Sequence, residues 1–108
     1  MILVTTEAIK GYEVEETFGI VCGTTVRARH VGKDVQSVMQ NFVGGEILHY
    51  TKLLAEAREQ ALDRMAEQAR ARGANAVITL RFSTSEIATG AAEVVAYGTA
   101  VRVRRTAG

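Results

Sequence analysis

The chain has 108 residues, 47% of them apolar, with 13 basic and 12 acidic side chains and a formal net charge of +1. That length sets an expectation of one domain spanning 1–108. The near-zero net charge gives no field to steer nucleic acid, membrane or polyanion, and one cysteine cannot close an intrachain disulfide. No apolar run approaches the ~20 residues of a membrane span, and the first residues lack the basic and apolar regions of a signal peptide. The expectation is a soluble cytoplasmic protein.

In chain order, Ile2 to Thr5 is a short β-prone run. Tyr12 to Val31 is rich in β-branched residues, and its bulkier apolar members fall at even positions: Tyr12, Val14, Phe18, Ile20, Cys22 and Val26. Period-two alternation assigns that even face to the core. Gly19 and Gly23 fall on the other face and mark bulges or close backbone approach. Residues 32–45 read as a connector. Glu46 to Arg72 then holds neither glycine nor proline and is dense in Ala, Leu, Glu, Arg, Gln and Met, the strong helix formers. Ile47, Leu54, Ala57, Ala61, Met65 and Ala69 form one apolar stripe, with Leu48, Ala55, Leu62 and Ala66 beside it. Gly73 is placed to end the helix as its C′ residue.

Asn75 to Thr84 alternates, with Ala76, Ile78, Leu80 and Phe82 on one face and Val77, Thr79, Arg81 and Ser83 on the other. Ser85 to Gly90 reads as a polar hairpin loop, and Ala92 to Arg105 as the last strand. The order is β-α-β-β with an extra short N-terminal strand: an α+β two-layer fold, one long helix on one face of an antiparallel sheet. If the first long strand pairs with the last, Glu13 and Glu15 face Arg102 and Arg104, Val14 lies near Val103 and Cys22 near Val95. The face bearing Thr17, Gly19, Val21, Gly23, Ala96, Gly98 and Ala100 has few charges, whereas a solvated sheet face normally turns polar. That pattern predicts a homo-oligomer. Without aromatic interleaving, the basic run Arg102 to Arg105 is strand-end charge rather than a nucleic-acid site.

Metal ligands are available in Cys22, His30 and His49, with Asp34 and Glu46 as oxygen donors. No Cys-x-x-Cys is present. Glu46-x-x-His49 puts a carboxylate and an imidazole one helical turn apart, but once rather than twice as in di-metal bundles. Cys22, at core parity, reads first as a small buried hydrophobe, and Tyr12 and Tyr97 as packing residues. Gly44-Gly45-Glu46 reads as a turn into the helix rather than an anion site, because Glu46 would repel the anion. No catalytic motif is recognised, so no catalytic residue is assigned; an interfacial enzyme site around Glu46, Arg58 and Tyr97 is the weaker alternative.

Taken together, Gly11-Tyr12, Gly19 to Gly23, Gly44 to Ile47 with Tyr50, Glu56-Ala57-Arg58, Arg64-Met65, Gly73 to Ile78, Arg81-Phe82 and Tyr97 to Val101 resemble the YbjQ family across nearly the whole chain. The resemblance implies a dodecin-like subunit with sheet order 1-3-2, assembled as a homopentamer. The family often carries the label "putative heavy-metal-binding", and fold alone does not establish that function. No catalytic residues carry over. The polar members of the matched blocks, Glu46, Tyr50, Glu56, Arg58, Arg64, Asn75, Arg81 and Tyr97, are the candidate ligand or interface residues. The expected function is therefore a homo-oligomeric structural or ligand-binding module. The alternative is a heavy-metal-binding protein that takes a divalent or soft metal on Cys22, His30 and His49 at subunit interfaces.

Overall fold

A computed structural model describes residues 1–28 and 45–107, with side chains described outside 45–50. The elements are β1 (Ile2–Leu3), β2 (Tyr12–Ala28), α1 (Gly45–Ala71), β3 (Ala76–Ala88) and β4 (Ala91–Arg105). They form a mixed four-stranded sheet in the order β1-β3-β4-β2. The three long strands are antiparallel in the anticipated order, while β1 joins the β3 edge in parallel. The helix lies across β2 and β4. It ends as Gly73 predicts: Gly73 has φ +91°, and the N–H groups of Gly73 and Ala74 donate to Arg70 and Ala69 carbonyls at 2.9 and 3.0 Å. This is the paired-bond cap that a left-handed glycine permits.

The sheet face the helix covers is the reverse of the one the alternation suggests. Register shifts occur in β2 between Val14 and Glu16 and again between Thr17 and Gly19. Each extra residue flips the parity of the rest of the strand. Beyond Gly19, where φ is +93°, Val21, Gly23 and Thr25 face the helix and are buried, while Ile20, Cys22, Thr24 and Val26 are exposed. A shift between Ile78 and Arg81 does the same to β3, so Val77 and Leu80 join the helix-side core. At that bulge Thr79 has φ +53°. Its N–H donates to Thr6 O at 2.9 Å and that of Leu80 to Val4 O at 3.0 Å, so the N-terminal segment holds the left-handed turn in place.

The main core packs Ala57, Ala61, Met65 and Ala69 of α1 against Val21, Val77, Leu80, Val94, Ala96 and Ala100. The small residues thus face the helix, not a neighbouring subunit. An alanine stripe has no long side chains to hold the layers apart, so the helix backbone comes down onto Gly23. A Cβ there would overlap the Ala61 carbonyl oxygen and the Met65 nitrogen, with Arg64 Cβ at 2.9 Å. A second cluster on the opposite face joins Ala76, Val101 and Val103 with Ile2, Ile9, Tyr12 and Ile78.

The hairpin is longer than its sequence suggests. β3 runs to Ala88, and the connection is a tight turn at Thr89 and Gly90, with Gly90 at φ +77°. Serine and threonine tolerate a solvated strand as readily as a loop, so their polarity was misleading. Of β2's anticipated extent, 29–31 lie outside the described residues.

Candidate functional site

Three candidates from separate parts of the sequence meet on the open face of the sheet, opposite the helix. Cys22 pairs across to Tyr97, and Tyr97 to Arg81 on its other side. They form one row over β2, β4 and β3. Cys22 is exposed, so its assignment to the core is corrected, as is its pairing with Val95, which goes to Thr24 instead. Tyr97 is likewise 41% exposed rather than packed. The row continues into an apolar surface at Ile20, 73% exposed, and Val26, 50% exposed. Arg81 is held in place, with Nη1 donating to Thr5 O and Leu80 O, each at 2.8 Å. The arrangement combines an accessible thiol, a phenol and an anchored guanidinium on a largely apolar sheet.

Other candidates prove to hold the fold together. Asn75 stands just before β3 and completes its ladder with its side chain. Its Nδ2 donates to Val103 O at 2.9 Å, and its Oδ1 accepts from Val103 N–H at 2.8 Å. Arg64 belongs to a stripe the sequence reading missed: Gln60, Arg64, Gln68 and Arg72, spaced at i+4 along one side of α1. Arg64 Nη1 donates to Thr24 O at 2.6 Å. Cys22 N–H donates to Gln68 Oε1 at 2.8 Å, and Arg72 Nη1 to Ile20 O at 2.8 Å. Gln60 Oε1 accepts from Arg27 at 2.7 Å. These side chains occupy the outward backbone of β2, an edge otherwise open to another strand. The fourfold spacing was visible in the sequence, but its target was not.

Glu56 and Arg58 are exposed on α1. Glu46, His49 and Tyr50 lie in the first turns of α1, and their side chains fall outside the described residues, as do His30 and Asp34 entirely. Among the described residues no three of His, Cys, Asp and Glu gather to hold a metal, leaving Cys22 as the described member of the proposed ligand set.

The charged end of the sheet is structural. Arg104 pairs with Glu13 and Glu15. Arg102 pairs with Glu16 at 3.4 Å, rather than with Glu15, because the first bulge displaces the register by one. Arg102 also lies over the Phe18 ring, 5.4 Å from its centre. Arg105 donates to the Tyr12 hydroxyl at 3.4 Å, a bond that raises its already high pKa.

The fold and the open face define a small α+β subunit whose sheet has one covered and one bare face. The chain belongs to the YbjQ family: the family model described as "Putative heavy-metal-binding" matches residues 1–104. It is similar to a UPF0145 protein of Halorubrum lacusprofundi, 56% identical over 96% of this chain and 100% of that protein. A UPF0145 protein of Archaeoglobus fulgidus is 53% identical over 96% of each. The crystal structure of a protein of unknown function, of the DUF74 family, from Pediococcus pentosaceus shares the fold. It aligns with TM-score 0.57 and 17% identity over 96% of this chain and 98% of that one. No helix among the described residues is long and apolar enough to cross a membrane.

Proposed function

We propose that this chain is a single-domain cytoplasmic subunit of a homopentamer, a structural or ligand-binding module without catalysis of its own. The observation that carries the reading is the bare sheet face, where Ile20, Val26 and Tyr97 stand exposed together on strands whose other face is buried. Isolated exposed apolar residues are ordinary; a contiguous group on a rigid sheet is the mark of an interaction surface. The shape agrees. The radius of gyration is 17.9 Å, against ~13 Å for a compact chain of this length. Native mass spectrometry and light scattering test the reading. A mass near five times the 11.7 kDa chain supports it, and a monomer at micromolar concentration refutes it.

The second reading, heavy-metal binding, gains from one observation: the Cys22 thiol is exposed rather than sealed in the core. A thiolate at an interface between copies could then meet His30 or His49 of a neighbour, and it suits a soft or borderline metal. Titration of the untagged protein with zinc and with copper(I), beside Cys22→Ser, tests it. Stoichiometric binding lost in the variant supports metal binding; equal weak binding by both refutes a role for Cys22.

A further inference from the structure

The two outer edges of the sheet are treated differently. On β2 the outward backbone of Phe18, Ile20, Cys22 and Thr24 is occupied by Arg72, Gln68 and Arg64. On β3 the N-terminal segment covers the edge through Asn75, Val77, Thr79 and Leu80, and stops there. From Phe82 to Glu86, among the described residues, no strand lies outside β3.

That stretch is built as a strand that pairs. It runs without a bulge between the register shifts at Ile78/Arg81 and Glu86/Ala88. Its residues Phe82, Ser83, Thr84 and Ser85 carry no charge and no proline, so it lacks the charged or proline residues that blunt an exposed edge. An open edge presents alternate N–H and C=O groups that only another extended backbone meets in register. Apolar side chains frame the same end of the sheet: Phe82 is 41% exposed and Ile87 55%.

We infer that the outer edge of β3 from Phe82 to Glu86 is a contact between copies of this chain, completed by an extended strand of a second subunit. The area favours a second copy. The chain exposes 7100 Å², whereas a compact monomer of its mass exposes ~5900 Å². The excess, about 1200 Å², is more than the ~800 Å² that one partner contributes to a standard interface. The inference rests on the oligomeric reading and adds where the subunits join.

Residue-resolved hydrogen exchange on the full-length protein, with the assembled mass measured on the same sample, is the test. Along Phe82–Glu86, amides directed at β4 are protected in any folded chain. The inference expects the outward amides to exchange at least tenfold more slowly than an unstructured chain. If they exchange at the unstructured rate while the assembly persists, this contact is wrong and the oligomeric reading stands; a monomer throughout overturns both. As a second arm, Ser83→Lys with Thr84→Lys should raise the concentration for half-assembly at least tenfold. A folded double variant that assembles like the parent also overturns the inference.

Discussion

Replacing Gly23 with alanine adds one methyl group at the point where the helix touches the sheet. The backbone of Gly23 needs no special φ, so the cost is steric alone. The added Cβ would collide with the Ala61 carbonyl oxygen and the Met65 nitrogen, both inside a helix, where no single atom can yield. The helix must lift, loosening Ala57, Ala61, Met65 and Ala69, each 0% exposed. Overpacking of this kind costs ~1–3 kcal/mol, and a backbone clash places Gly23→Ala toward the upper end. For a chain of this size each kcal/mol moves Tm by roughly 4–8 °C, so a fall of at least about 8 °C is expected. Gly19→Ala is the control. Nothing lies within 4 Å of its added Cβ, but φ is +93°, so its penalty of ~1–2 kcal/mol is purely conformational. Asparagine, which tolerates positive φ, should recover part of the loss at Gly19 and worsen it at Gly23. Thermal and urea unfolding, at one fixed protein concentration because assembly also stabilises, measures both series. Gly23→Ala within about 0.5 kcal/mol of the parent, the range of an indifferent surface change, would refute the close-packed helix.

Three further outcomes are expected. Thr25 is 1% exposed and its hydroxyl has no hydrogen-bond partner; Thr25→Val, of similar shape, should raise stability by ~1 kcal/mol in urea unfolding, and a loss would place a hidden partner there. Asn75→Ala removes both bonds to Val103 and should cost ~1–3 kcal/mol, while Asn75→Asp loses the donor and faces a carbonyl with charge, so its deficit should grow as pH rises through the carboxylate range. Labelling of Cys22 by a thiol reagent should proceed without unfolding in dissociated chains and slow at least tenfold on assembly if the open face is covered; equal rates would show that it stays bare.

The helix was legible because its signal is redundant. Twenty-seven consecutive residues repeat one period, and Gly73 marks the stop. The strand order and the Val14–Val103 pairing were legible too, since opposite charges and a shared apolar pattern agree on them. The open-face row was not, because Cys22, Tyr97 and Arg81 are scattered in sequence and share no periodicity with one another. Only the register of three strands sets them side by side.

The sequence by itself determined the element order, the helix and its end, the strand pairing and the family. Tertiary structure decided which side of each strand is inside. A β-strand carries its pattern at period two, so one unpaired residue at Gly19 or Thr79 reverses everything that follows, and Cys22 passes from core to surface. It also gave the balanced charge of the opening arithmetic its use. Part of it pairs Glu13, Glu15 and Glu16 with Arg102 and Arg104, and part turns Arg64 and Arg72 onto the backbone of one sheet edge. The other edge is left open because no side chain of comparable reach packs beside it among the described residues.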